Sequence, residues 1–456
     1  MKKYNNEAVF AFYVLYFTFF ISLASCSVSK QIDKVAKPEI INKPDLTSAH
    51  IGISIYDPSK NKWLYNYQGD KYFIPASNTK IMTCYTAMKY LGDSLISAYV
   101  KDNDSAVTII PNGDPTFLHP DFSYQPLADL LRGKKTVVID NSSWQDEALG
   151  LGWSWDDYND DYMVERSVMP VYGNVINFKI VNDSLVNTGI PVGITLSKDW
   201  NFEDEMKMNE NNLRSLLKKF TVKRQVENNN FGVVKSNQNF VSQSVPFKTE
   251  PKFLKELLKD TLHIENVLFI NFSPVDSSHE GMKIIHSQPT DSLLKIMMHR
   301  SDNFFAEQSL LMISNGMLGV MNDEKIIDTL LKTDFKDLPQ KPHWVDGSGL
   351  SRYNLFTPMD FVFVLNKMLN EFSWNRITTI FPTGGTGTLS NAYKNIEGKI
   401  FAKTGTLSNN LALSGYIITK RGKTLIFSVL VGNHMAGSVT IRDAIARFLE
   451  LLCEKN

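Results

Sequence analysis

The chain has 456 residues, 43% of them apolar, with 48 Lys plus Arg balanced by 48 Asp plus Glu. That length buries a large core and suits two or three domains, while the balanced charge supplies no basic field for a phosphate backbone, so nucleic acid is excluded as a partner. No apolar run beyond the first two dozen residues is long enough to span a bilayer, and no segment repeats at a fixed period.

In chain order, Met1-Lys2-Lys3 is a short positive region and 8–21 an apolar core of export-signal length. The signal segment, 1–25, ends Leu23-Ala24-Ser25 before Cys26, which resembles a bacterial lipobox, so Cys26 is the expected lipidation site and the link to a membrane. Residues 26–48, with Pro38, Pro44 and scattered charges, are expected to form a flexible lipidated tether. The other two cysteines, Cys84 and Cys453, sit in apolar helical patterns and are expected as buried free thiols.

Residues 50–56 and 63–67 predict a β-hairpin, and 411–419 with 424–431 predict another near the opposite end, followed by an amphipathic helix over 439–452. Strand pairs at both termini with helices between them imply one α/β domain, of α+β type, whose antiparallel sheet is built from both ends of the chain. That domain is assigned to 49–99 and 285–456. Residues 100–284, with short strands, polar turns and runs such as Glu227-Asn228-Asn229-Asn230, are assigned to a mostly β insertion.

Three short motifs can carry chemistry. Ser77-Asn78-Thr79-Lys80 opens a helical pattern, placing Lys80 one turn after Ser77 on the same face. A serine becomes a nucleophile when a base takes its proton, and a lysine can do so once burial and nearby positive charge lower its pKa. Ser301-Asp302-Asn303 falls between helical stretches 291–299 and 304–314; in an extended loop Ser301 would relay a proton and Asn303 hold a substrate amide, with Asp302 turned away as a cap. Lys403-Thr404-Gly405-Thr406 reads as a strand in which Gly405 leaves room for a substrate backbone, Lys403 supplies charge, and Thr404 and Thr406 receive a carboxylate. The N–H groups of Thr406 and Ser77 are the candidate oxyanion donors. Taken singly, each motif is more often a cap, a turn or an edge strand.

Together and in this order, Ser-x-x-Lys, Ser-Asp-Asn and Lys-Thr-Gly resemble the signature of penicillin-binding proteins and class A β-lactamases. The tracts Asp346–Asn354, Phe381–Leu389 and Gly152–Tyr158, and the long insertion between the first two motifs, are similar to class C low-molecular-mass penicillin-binding proteins. The resemblance covers roughly 49–456. It implies a transpeptidase-like domain and a serine D-alanyl-D-alanine carboxypeptidase/endopeptidase. Such an enzyme forms an acyl-enzyme on Ser77, acts on peptidoglycan stem peptides, binds β-lactams and needs no cofactor or metal. A lipid-anchored protein at the periplasmic face of an outer membrane is the expected location. The alternatives are a β-lactamase-like hydrolase, for which Glu371-Phe372-Ser373-Trp374-Asn375 mimics a deacylating glutamate, and a non-catalytic envelope binding module.

Overall fold

The computed structural model describes residues 28–103, 106–181, 184–187, 194–196, 219–271 and 281–455; the expected export segment and Cys26 lie outside them. Both predicted hairpins form. Strands β1 (His50–Asp57), β2 (Lys62–Tyr67), β14 (Ile400–Leu407), β15 (Asn410–Ile418) and β16 (Thr424–Gly432) make one antiparallel sheet in the order β14-β15-β16-β1-β2. Alternation decides which side chains go where. Ala412, Tyr416, Ile426 and Leu430 face one core, shared with helices α2 (Lys80–Tyr90), α5 (Thr290–Arg300), α6 (Asn303–Leu318), α7 (Asp323–Lys332), α8 (Pro358–Glu371) and α9 (Trp374–Ile380). Leu411, Leu413, Phe427 and Val429 face the opposite core, under the C-terminal helix α10 (Ser438–Lys455).

The flexible tether is corrected by that second core. Residues 28–36 form a helix, α1, continued by a π-helical turn Lys37–Ile41, and Ile32, Val35, Ala36, Ile40 and Leu46 are buried with α10. Those apolar residues recur at helical spacing, a signal outweighed in the sequence by Pro38 and the charges. Glu39 pairs with Arg447 of α10 at 3.2 Å, and Tyr65 donates to Asp33 at 2.9 Å.

The insertion is built largely of strands. Its main sheet has the order β12-β5-β4-β3-β13, from β3 (Ser94–Asn103), β4 (Ala106–Pro111), β5 (Thr136–Asp140), β12 (Asn266–Ile270) and β13 (Lys283–Pro289). Two helices, α3 (Pro126–Leu131) and α4 (Pro251–Leu262), contribute to its core; α4 buries Leu254, Leu257, Leu258 and Leu262, one face at helical spacing. Two three-stranded sheets complete it: β6 (Val175–Val181), β7 (Ser184–Asn187) and β11 (Ser242–Pro246), and β8 (Ile194–Leu196), β9 (Phe220–Arg224) and β10 (Phe231–Lys235). The boundaries at 100 and 284 are corrected outward, because β3 and β13 belong to this sheet and pair from Ser94↔Pro289 to Val100↔Lys283. The chain therefore enters and leaves the insertion along two neighbouring strands.

Candidate active site

Ser77 lies in the 3-10 turn Ala76–Thr79 that leads into α2. Ala76 holds the left-handed region at φ 48, costly for a residue with a Cβ, and the surroundings enforce it. Thr79 Oγ1 donates to the Ala76 carbonyl at 3.0 Å, and Gly349 closes over it. Gly349 has φ 81, and a Cβ there would lie 1.9 Å from the Ala76 oxygen. Asn78 Nδ2 donates to Lys403 O at 3.0 Å, fastening the turn to β14.

Lys80 is fully buried, with Nζ 3.1 Å from Ser77 Oγ, 2.6 Å from Asn303 Oδ1 and 2.8 Å from Ser348 O. Burial pushes its pKa down to about 8, against the upward pull of Asp302, Asp346 and Glu307. Lys403 is equally buried and donates to Ser301 Oγ and Thr404 O, each at 2.8 Å. Burial and the charge of Lys80 hold Lys403 well below the usual lysine range. Two lysines thus converge on two serine hydroxyls, Lys80 on Ser77 and Lys403 on Ser301.

The Ser301–Asn303 stretch is a tight helix-to-helix junction, not the extended loop expected. Ser301 caps α5 in the left-handed region at φ 61, and Asp302 N-caps α6 by accepting from Phe305 N–H at 2.9 Å. Ser301 and Asn303 still line one cleft. Asn303 Nδ2 donates to Tyr162 O at 2.8 Å, so its amide links Lys80 to the insertion.

The reading of Gly405 as room for substrate is also corrected. A Cβ there would meet Pro75 O at 2.6 Å and Asn78 N at 3.1 Å, so the space serves the chain's own Ser77 turn. β14 is nevertheless a sheet edge. Ala402 N–H points outward, donating to Pro382 O at 3.1 Å, and the two-residue period turns the N–H groups of Thr404 and Thr406 the same way.

Asp346 organises the next loop, accepting from Gly349 N, Ser351 N, Asn354 Nδ2 and, at 3.0 Å, Trp153 Nε1 of the insertion. The tract 152–158 both braces and lines: Trp153 makes that bond, while Gly152, Ser154 and Asp157 border the cleft. That cleft, about 570 Å³, adjoins Ser77, Ser301, Asn303 and Thr406. A second, about 760 Å³, opens from Ser77, Ser301, Thr404 and Thr406 toward 388–395 and α10. Tyr162, Arg352, Ser408 and Arg442 also line these clefts, and no sequence motif singles them out. Arg352 falls inside a recognised tract, but Arg442 looks like any polar residue of an amphipathic helix.

Glu371 borders neither cleft; it accepts from Tyr85 OH at 2.8 Å and pairs with Lys367 at 3.0 Å. Its glutamate-to-asparagine spacing is incidental. Among the described residues no cluster of His, Cys, Asp and Glu is arranged to hold a metal.

The family model for the D-Ala-D-Ala carboxypeptidase 3 (S13) family matches residues 31–452. The chain belongs to this family and is a serine-type D-alanyl-D-alanine carboxypeptidase. It is 25% identical to the D-alanyl-D-alanine carboxypeptidase of Actinomadura sp. over 89% of this chain and 82% of that one. It is also 25% identical to the D-alanyl-D-alanine carboxypeptidase DacB of Haemophilus influenzae, over 90% and 92% respectively. In fold it is similar to the crystal structure of penicillin binding protein 4 from Haemophilus influenzae, with a TM-score of 0.69 at 19% identity, covering 92% of this chain and 98% of that one.

Proposed function

We propose that Ser77 is the acylating nucleophile, Lys80 its general base and Ser301 the proton relay to the leaving amine. Ser77 Oγ attacks the carbonyl preceding the last D-alanine while Lys80 Nζ takes its proton. The C–N bond then breaks, the departing nitrogen receives a proton through Ser301, and water hydrolyses the resulting ester. The N–H groups of Ser77 and Thr406 stabilise the oxyanion. Asn303 faces the acyl portion, its Oδ1 keeping a lone pair for a substrate N–H. Lys403, Thr404 and Thr406 orient the carboxylate end, and Gly405 serves by letting the nucleophile turn approach. The observation that carries this reading is the fully buried Lys80, pushed down to about 8 and set 3.1 Å from Ser77 Oγ.

A β-lactam-bound form of the Haemophilus influenzae protein shares this fold with a TM-score of 0.64, which supports penicillin as a probe here. Mass spectrometry of protein exposed to penicillin is expected to find one covalent adduct, on Ser77. Ser77→Ala should lose both adduct and peptidase activity; an adduct on another serine would overturn the assignment.

Two finer readings follow. Clefts on both sides of Ser77 support cleavage of cross-linked stem peptides as well as terminal trimming. Purified enzyme should shorten pentapeptides and open cross-linked muropeptide dimers; intact dimers beside trimmed pentapeptides would restrict it to carboxypeptidase action. The Leu23-Ala24-Ser25-Cys26 sequence supports a lipid anchor, and Ser27 behind it an outer-membrane, periplasmic location. One acyl chain binds a membrane only marginally, so a multiply acylated Cys26 is the anchor expected to hold. Cys26→Ala should move the protein from membrane to soluble fractions, and wild type already soluble would refute the anchor.

A further inference from the structure

The leaving amino acid has a feature that does not depend on which bond is cut. In terminal D-alanine, and at the D-centre whose amine is acylated in a direct cross-link to a diamino acid, the carbon bearing the scissile nitrogen also carries a free carboxylate. A group reading that carboxylate would serve both reactions. It must lie on the leaving side of Ser77.

The two clefts divide these sides. Asn303, assigned to the acyl portion, borders only the first; Thr404 and Arg442 border only the second, while Ser77, Ser301 and Thr406 adjoin both. Arg442 stands on the exposed side of α10 in its second turn, and its Nη2 donates to Thr406 Oγ1 at 3.3 Å. Among the described residues Arg442 forms no ion pair. The other charges bordering this cleft are Lys394, Asp443 and Glu450.

The nearer cations are less dependable. Lys80 and Lys403 are both fully buried, and burial together with mutual repulsion disfavours charging both. Arginine stays charged at any working pH and presents parallel donors that match a carboxylate. We infer that Arg442 is a specificity residue of this peptidase, reading with Thr406 the carboxylate beside the scissile nitrogen, and that the cleft between 388–395 and α10 receives the rest of the second stem in a cross-link. This rests on the peptidase reading above and adds the leaving-side subsite to it.

The test compares a peptide ending in D-alanyl-D-alanine with the same peptide ending in D-alanyl-D-alanine amide, on wild type, Arg442→Gln and Arg442→Lys. Wild type should prefer the free acid. Arg442→Gln should lower kcat/KM for the acid about 10- to 100-fold, with little change on the amide, and Arg442→Lys should recover part of the loss. Because the carboxylate is common to both reactions, Arg442→Gln should slow pentapeptide trimming and dimer opening by similar factors. An unchanged acid-to-amide ratio in active Arg442→Gln would overturn the inference while leaving the peptidase reading intact. A wild type that cleaves neither peptide and takes no penicillin adduct would overturn both. Equal losses on acid and amide would reduce Arg442 to a structural support of Thr406.

Discussion

At the scale of single residues, the proposed mechanism depends on keeping a lysine neutral among charges. Lys80 accepts a proton only in its free-base form, and burial brings its pKa to about 8. Below that value the base fraction falls tenfold per pH unit. Penicillin acylation is therefore expected to rise through an apparent pKa near 8 to an alkaline plateau, and at pH 6 to run about 100-fold below it. A rate flat from pH 5 to 9, measured by stopped-flow or quenched mass spectrometry, would remove Lys80 from the role of base. Lys80→Arg, with a bulkier side chain that stays protonated, should abolish acylation at some cost in stability, so the loss is read on the folded fraction.

At the scale of elements, the Ser77 turn is held by contacts from the sheet and the loop across it. Gly349 is the tightest of these, combining φ 81 with the 1.9 Å that would separate any Cβ from Ala76 O. Gly349→Ala should cost at least about 1–3 kcal/mol of stability and lower acylation further than the unfolded fraction accounts for. Denaturant midpoints measured beside acylation rates would separate the two effects; a variant matching wild type in both would show that the loop relaxes freely. Much of this local architecture is legible in sequence, because helix starts, caps and edge strands carry short-range signals. The hydroxyl-and-lysine motifs mark Ser77, Lys80, Ser301 and Lys403 for the same reason. Gly405 misleads because a glycine announces close approach without saying of what. Arg442 leaves no trace because its meaning depends on α10 packing beside β14, a long-range fact. The helix over 28–36 is hidden by composition that suits a linker until its apolar face finds α10.

At the scale of the whole molecule, the insertion is joined to the enzyme by buried charge. Arg166, 1% exposed, pairs with Asp146 at 2.9 Å, with Asp323 of α7 and with Glu307 of α6 at 3.5 Å. Glu307 in turn accepts from Ser348 N–H at 2.7 Å, and the carbonyl of that residue holds Lys80. Burial and the neighbouring Asp346 raise Glu307 to about 8, so the guanidinium chiefly balances Asp146 and Asp323, and Arg166→Met should cost about 3–5 kcal/mol by stranding them. Burial already raises Asp146 to about 6, and losing its cation would raise it further. The folded state then binds protons that the unfolded state releases, so the variant's deficit should be larger at pH 8 than at pH 5. Denaturant titrations at the two pH values would check it, an equal deficit at both contradicting the linkage. The central sheet carries a last consequence, concerning time. β16 pairs directly with β1, and 325 residues separate Asn78 from its partner Lys403. Read from its N-terminus, the chain completes the insertion in sequence while β1, already paired with β2, still lacks β16. The proposed site is complete only once β14, the third strand from the end, has been made. A chain lacking β14 to β16 keeps Ser77 and Lys80 but has neither Lys403 nor Thr406, and is expected to take no penicillin adduct.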